Sequence, residues 1–267
     1  GFVHGRLILY SGVIDTHCHL TFPEYAGRVR EVMDHAAAVG VTGAITIATD
    51  SDDSLAALAV AESDPRVWCA AGVHPLYSDR TPHDWDAIRR VAEHPKCVAF
   101  GELGLDNHHG RPPRDVQDRV LAEELAFIEG CIADGVDKPV VIHCRRAVDD
   151  LLPVLRATSI RPDRFVFHCF TETPEMARKV LDFGAFISFT GVVTYRNARE
   201  VAEAALLVPA DRIMVETDAP FLSPEPLRGR RPCLPGYARV TARYLADLRG
   251  VPFEELDRAI DENTRRF

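Results

Sequence analysis

Lysine is scarce in this sequence, and no stretch is apolar enough to cross a membrane. Only Lys96, Lys138 and Lys179 are lysines among 31 basic residues, and 40 acidic residues leave a formal net charge of −9. A broad basic surface for wrapping duplex nucleic acid is therefore not indicated, and recognition of phosphate would fall to arginine. No apolar run approaches the roughly 18 residues of a spanning helix, so no membrane association is predicted.

The cysteines lack any C-x-x-C spacing. There are seven, spread from Cys18 to Cys233. An odd number in a chain of this size is typical of reduced thiols, so we expect a cytoplasmic protein. The sequence also lacks a signal-peptide layout, low-complexity tracts and any linker rich in glycine, serine and proline. The 267 residues are therefore predicted to form a single domain, 1–267.

Short apolar segments alternate with amphipathic segments along the chain. Apolar residues recur at spacings of three and four over 29–40 and 116–135, which predicts helices. Glycine-rich phosphate loops are absent after the first β-like segment, which disfavours the alternative of an open, doubly wound sheet. Eight units predict a closed (β/α)8 barrel of the TIM type. The β-like segments are 12–17, 41–49, 66–74, 96–103, 139–144, 164–169, 185–191 and 212–218.

Two segments fall outside the eight units. One is the stretch before Gly12, and the other is a predicted helix near 253–265. Either is expected to close the bottom of the barrel.

Polar side chains stand at the ends of six predicted strands. A buried lone carboxylate or imidazole is costly without a partner, and a barrel brings all carboxyl strand ends to one mouth. Alternation along a strand turns the histidines toward that mouth, and it turns Cys18, Cys144 and Cys169 toward the helices. The converging residues are His17 and His19 (strand 1), His74 (strand 3), Glu102 (strand 4), His143 (strand 5), His168 (strand 6) and Asp218 (strand 8).

The number of histidine and carboxylate ligands favours two metal ions over one. Four imidazoles and two carboxylates exceed the ligands of one catalytic ion that keeps an open position. Two ions suit them if a carboxylate bridges the pair, and Glu102 lies between strand 1 and strands 5 and 6. Asp218 is predicted to hold a metal and to take a proton from the attacking water, which makes Asp218 and Glu102 the candidate catalytic residues.

Several motifs occur in order along the chain: VIDTHCHL, GVHP, GELGLD, the pair IHCR and FHCF, and ETDAPFL followed by RGRR. Together they resemble the TatD-type metal-dependent deoxyribonucleases of the amidohydrolase superfamily. The resemblance implies a binuclear site in a metal-dependent hydrolase barrel. His17, His19, Glu102 and Asp218 would bind one divalent ion, and Glu102, His143 and His168 the other. Glu102 would stand where many relatives in the superfamily use a carbamylated lysine.

The sequence departs from this family on two loops. Asn107, His108 and His109 follow GLD where many members carry aromatic pairs, and Pro232, Cys233 and Leu234 replace the common Asn-Glu-Pro. Both loops are expected at the mouth, so the departures bear on the substrate rather than on the metals.

The preferred function is hydrolysis of a phosphodiester from a DNA end by two divalent ions, whether Zn, Mn, Mg or Co. Arginines on the mouth loops suit phosphate, and Arg145, Arg228 and Arg230 are predicted to bind substrate together with His74. The alternative is hydrolysis of a carbon centre, such as an amide, ester or lactone, including deacylation of aminoacyl-tRNA. A non-catalytic barrel is disfavoured by the complete ligand set, and no obligate protein partner is predicted.

Overall fold

Eight parallel strands form one sheet in chain order in the computed structural model, which describes residues 12–267. Each strand pairs with the next, from β1 to β8. The predicted stretch before Gly12 lies outside the described residues. The strands are β1 (Val13–Cys18), β2 (Val41–Ile47), β3 (Val67–Ala71), β4 (Cys97–Asp106), β5 (Val140–Arg145), β6 (Phe165–Phe167), β7 (Phe186–Phe189) and β8 (Ile213–Val215).

The sheet closes between β1 and the segment that follows β8. The backbone N–H of Asp218 donates to the carbonyl of His17 at 2.8 Å, and the N–H of His19 donates to the carbonyl of Ala219 at 2.7 Å. These bonds join the end of β1 to the segment that follows β8, so the predicted (β/α)8 barrel is confirmed.

Helices lie between the strands and after the last one. Side chains cap some of their starts: the Asp50 side chain accepts from the N–H of Asp53, and the Thr173 hydroxyl accepts from the N–H of Met176. The helices are α1 (Val29–Ala38), α2 (Ser51–Ser63), α3 (Trp85–Glu93), α4 (Arg114–Ala133), α5 (Val148–Arg156), α6 (Pro174–Phe183), α7 (Arg199–Leu207), α8 (Ala238–Arg249) and α9 (Phe253–Arg266). None of those described helices is both long and apolar enough to span a bilayer.

Two strands carry an extra residue next to the mouth. Between Asp15 and Cys18, three steps of β1 face two steps of β2. Between Phe100 and Leu103, three steps of β4 face two steps of β5. Such bulges bend a strand and re-aim its side chains, and here they flank two predicted ligands, His17 and Glu102.

The final helix covers the amino-terminal end of the barrel, as predicted. Phe267 packs against the apolar residues inside the barrel, and its ring lies 5.3 Å from that of Phe186. Asn263 donates from its side-chain amide to the carbonyl of Ile213 at the start of β8. The opposite, carboxyl end of the strands stays open to ligands.

Candidate active site

A cavity of about 440 Å³ opens at the carboxyl ends of the strands. His17 lies behind its wall, fully buried, with its ring stacked on that of His168 at 3.8 Å. The structure thus brings together residues that are up to 201 positions apart, since Asp218 and His17 meet here. The predicted site residues that line the cavity are His19, His74, Glu102, His143, Arg145, His168 and Asp218.

Glu102 is buried at the centre of the site. Its Oε1 lies 3.2 Å from Nε2 of His17 and 3.6 Å from Nε2 of His19. Its Oε2 lies 2.7 Å from Nε2 of His168 and 3.2 Å from Nδ1 of His143. Each carboxylate oxygen therefore faces a different pair of these four imidazoles, and Nε2 of His74 lies 3.7 Å from Oε2.

Asp218 reaches the site from a left-handed backbone conformation, with φ of 59°. Aspartate tolerates this region better than most residues. Its Oδ1 lies 3.2 Å from Nε2 of His19 and 3.7 Å from Nε2 of His17. Its carboxylate is partly exposed to the cavity, unlike that of Glu102. Asp218 is thus the carboxylate that a substrate or water in the cavity can reach.

Oxygen partners fix the ring nitrogens that point away from the centre. A bond on one nitrogen sets the tautomer and leaves the lone pair of the other available to a metal ion. For three of the histidines these partners are Ile47 O for His19 Nδ1 (3.0 Å), Glu216 for His168 Nδ1 (3.1 Å) and Asp106 for His143 Nε2 (3.0 Å). Sequence reasoning did not assign Asp106 or Glu216, although both lie inside the GELGLD and ETD motifs that it used.

The donor atoms fit a divalent cation. Three groups of ligand atoms lie within 4.8 Å of one another: His17, His168 and Asp218; His17, His19 and Glu102; and His74, Glu102 and His143. Burial raises the pKa of Glu102, but the surrounding imidazoles outweigh it and hold that pKa well below its usual range. Burial lowers the pKa of His19, but the Asp218 carboxylate outweighs it and raises that pKa to about 9. The carboxylates of Glu102 and Asp218 therefore favour a positive charge among the ligand atoms, either on the imidazoles or on a metal ion.

His74 belongs to this cluster by distance but differs in its hydrogen bonds. Its Nδ1 accepts from the N–H of Leu76 at 3.0 Å, so the ring proton lies on Nε2. That nitrogen faces Glu102 at 3.7 Å. Burial lowers the pKa of His74 to about 3, which keeps the ring neutral. His74 is thus arranged as a hydrogen-bond donor and not as a metal ligand.

Asp15 anchors the strand-8 segment and was not anticipated. It accepts from the backbone N–H of Thr217 at 2.9 Å and from the hydroxyl of Thr217 at 2.6 Å. Burial raises the pKa of Asp15 to about 8, although these hydrogen bonds oppose the shift. Asp15 therefore ties β1 to the residue that precedes Asp218.

The arginines of the mouth loops divide into two sets. Arg145 and Arg231 line the cavity, and the guanidinium of Arg231 lies 5.3 Å from the Phe221 ring. Arg228 instead lies 4.0 Å above the Tyr195 ring, and it and Arg230 are absent from the cavity lining. The predicted substrate arginines thus occupy different places.

Two of the three strand-end cysteines lie elsewhere than expected. Cys18 is buried, and its thiol donates to the carbonyl of Ile45. Cys144 and Cys169 border the mouth cavity. Cys169 follows the end of β6 and has φ of 45°, so strand alternation no longer sets its direction.

Comparison with known proteins gives consistent matches over nearly the whole chain. The family model described as "TatD related DNase" matches residues 14–267. The uncharacterized metal-dependent hydrolase YcfH of Escherichia coli K12 is 37% identical over 259 residues, covering 96% of this chain and 95% of that protein. A Pantoea vagans protein described as a 3'-5' ssDNA/RNA exonuclease TatD is 34% identical over 259 residues, covering 95% of this chain and 98% of that protein.

A solved structure agrees in fold as well. The crystal structure of YjjV, a TatD homologue from E. coli K12, superposes with a TM-score of 0.86 at 30% identity and covers 96% of this chain and 97% of that one. The resemblance seen in the motifs is therefore confirmed by the sequence match and by the fold. This chain is a metal-dependent hydrolase that belongs to the TatD family.

Proposed function

We propose that the protein is a two-metal phosphodiesterase that removes nucleotides from the end of a single-stranded nucleic acid. The two-metal part rests on the placement of the Glu102 carboxylate. Its Oε1 faces His17 and His19, and its Oε2 faces His143 and His168. A carboxylate so placed can bridge two cations. The exonuclease part is supported by family membership and by a relative described as a 3'-5' ssDNA/RNA exonuclease.

Each side of Glu102 is assigned one divalent ion. His17, His19 and Asp218 would hold the first with Oε1, and His143 and His168 would hold the second with Oε2. When bound, a pair of such ions activates water and stabilises the charge of a phosphoryl group in displacement. Zn, Mn, Mg and Co all remain compatible with imidazole and carboxylate ligands.

Asp218 is proposed as the base for the attacking water. It is the carboxylate of the pair that is partly exposed to the cavity, and Oδ1 is held at 3.2 Å from His19. Asp218→Asn keeps the side-chain shape but cannot take up the proton, so kcat should fall by about 10²-fold or more. Near-native kcat with an unchanged metal content would contradict this assignment.

His74, Arg145 and Arg231 are proposed to bind the substrate. The Nε2–H of His74 points toward the carboxylate at the centre of the site and can donate to a phosphoryl oxygen in the cavity. Arg145 and Arg231 border the same space, and a guanidinium group suits forked contact with phosphate. Arg228 and Arg230, which lie outside the cavity lining, are proposed to bind phosphates of nucleotides that extend beyond the cavity.

A hydrolysis panel tests the proposed function. Metal-depleted protein reloaded with Mg²⁺, Mn²⁺, Co²⁺ or Zn²⁺ would be given end-labelled single-stranded DNA, RNA, simple esters and amides, and aminoacyl-tRNA. We expect release of mononucleotides from one end of the labelled strand. Turnover of the esters or of aminoacyl-tRNA without any cleavage of nucleic acid would favour the carbon-centre alternative instead.

The arginines give a second, independent test. Arg231→Ala should raise KM for a single-stranded oligonucleotide several-fold and flatten its dependence on salt, because fewer phosphate contacts release fewer counterions. Arg228→Ala is the matched change on the same loop and should affect long oligonucleotides but not a dinucleotide. Equal effects of the two variants on a dinucleotide would contradict the proposed division between cavity and outer arginines.

A further inference from the structure

Asp106 is a buried carboxylate that links the metal cluster to the loop after β4. Its side chain is fully buried. Oδ2 lies 3.0 Å from Nε2 of His143 and 2.9 Å from Nδ1 of His109. Oδ1 accepts the backbone N–H groups of His108 and His109 at 2.9 and 3.0 Å. One carboxylate therefore holds a predicted ligand and a second imidazole side by side.

These bonds set the tautomer of His109. Asp106 faces only partners that can donate: two backbone N–H groups at Oδ1 and two imidazole nitrogens at Oδ2. An ionised carboxylate only accepts, so Nδ1 of His109 carries a proton. The His109 side chain is 53% exposed and lines the mouth cavity. Nε2 is therefore the nitrogen left for a ligand in the cavity.

We propose that His109 is the general acid that protonates the leaving oxygen of the phosphodiester. The inference rests on the proposed function and adds a residue to it. Asp106 accepts from Nδ1 and so orients the ring, as a carboxylate does for a catalytic imidazole.

Two proton transfers accompany the proposed displacement at phosphorus. The water oxygen forms a bond to phosphorus while one of its protons passes to Asp218. The bond from phosphorus to the sugar oxygen breaks, and that oxygen takes the proton from Nε2 of His109, which reacts as the imidazolium and is left neutral with its proton on Nδ1. The half-exposed imidazole then regains a proton from solvent, and Asp218 returns its proton to solvent.

A pair of substrates that differ only in the leaving group tests this role. Thymidylyl-thymidine and thymidine 5'-(p-nitrophenyl phosphate) both release thymidine 5'-phosphate, but only the sugar alkoxide requires a proton on departure. His109→Gln should lower kcat for the dinucleotide by about 10²-fold and change kcat for the aryl ester by about two-fold at most. His108→Gln, the neighbouring imidazole without a side-chain bond to Asp106, should leave both rates near wild type.

Other outcomes overturn the proposal in distinguishable ways. An equal loss on both substrates, or a change in KM alone, would make His109 a structural or phosphate-binding residue. No loss on the dinucleotide would remove it from the reaction. If the wild-type enzyme cleaves neither substrate, the proposed phosphodiesterase function itself fails, and the inference fails with it.

A readout without catalysis completes the test. In metal-free protein labelled with ¹⁵N-histidine, Nδ1 of His109 should carry a proton in the neutral ring, and Asp106→Asn should abolish that preference. Metal content measured by mass spectrometry should be equal in wild type and His109→Gln. A neutral His109 protonated on Nε2 in the wild-type protein would contradict the proposed orientation.

Discussion

Glu124 provides a test of how the loop that carries His74 is held. This carboxylate projects from α4 and is buried, with Oε1 accepting from the backbone N–H of Val73 at 2.9 Å. Its other oxygen has no hydrogen-bond partner among the described residues. Burial raises the pKa of Glu124 well above its usual value, and the single bond from Val73 opposes this only in part. The native protein therefore holds Glu124 protonated at pH values where the unfolded chain has lost that proton.

The sign of the pH dependence follows from proton counts. Above the unfolded pKa and below the raised native pKa, the native state binds one proton more at this residue than the unfolded state. Stability then falls as pH rises, by about 1.4 kcal/mol for each pH unit. Glu124→Gln keeps the acceptor for Val73 and removes the titration. The variant should gain stability relative to the wild type as pH rises from about 5.5 to 7.5, by at most about 1.4 kcal/mol for each pH unit.

Urea denaturation at these two pH values measures the difference. Both proteins would be stripped of metal first, so that ion binding does not contribute. An unpaired amide hydrogen in Glu124→Gln changes the free energy of unfolding equally at both pH values. The difference between the two pH values therefore reports only the titration of Glu124. Glu123→Gln, the exposed neighbour on α4, should follow the wild type at both points. Parallel wild-type and Glu124→Gln stabilities would refute a native protonated Glu124.

Three further predictions concern the metal cluster and its support. Glu102→Gln should lower the metal content from about two ions per chain to at most one, measured by mass spectrometry, because a neutral amide cannot bridge. Asp218 raises the pKa of His19 to about 9 against the effect of burial, so Mn²⁺ binding should release protons below that pH and tighten as pH rises, and calorimetry in two buffers measures this. Gly104→Ala should destabilise by about 3 kcal/mol or more in thermal unfolding, because φ is 147° and a Cβ would overlap the carbonyl of His143. The control Gly130→Ala meets nothing within 4 Å in α4 and should stabilise by up to about 1 kcal/mol.

The barrel and the central cluster could be predicted because both depend on simple periodicities. Apolar strands alternate with amphipathic helices, and a closed barrel then forces residues such as His17, Glu102 and Asp218 to one mouth. This prediction did not depend on loop conformation, because a closed barrel brings the carboxyl ends of all its strands to the same mouth. It was less accurate at strand ends: β3 stops at Ala71, three residues before His74.

The rest of the site depends on features that a periodic pattern does not contain. The bulges in β1 and β4 add a residue that alternation cannot anticipate. The conformation of the loop after β8 places Arg231 at the cavity and packs Arg228 over the Tyr195 ring. The direction of Cys169 depends on a positive φ beyond its strand. Loop conformation and local backbone geometry therefore account for the differences.

The outer carboxylates connect the motifs to one another across the barrel. Asp106, on β4, holds a histidine of β5, and Glu216, after β8, holds the histidine that follows β6. Asp15, on β1, holds Thr217 beside Asp218. In each case the supporting carboxylate and the group that it orients lie on or directly after different strands. A substitution in one motif should therefore disturb a ligand in another, and the site is assembled only when the barrel has closed.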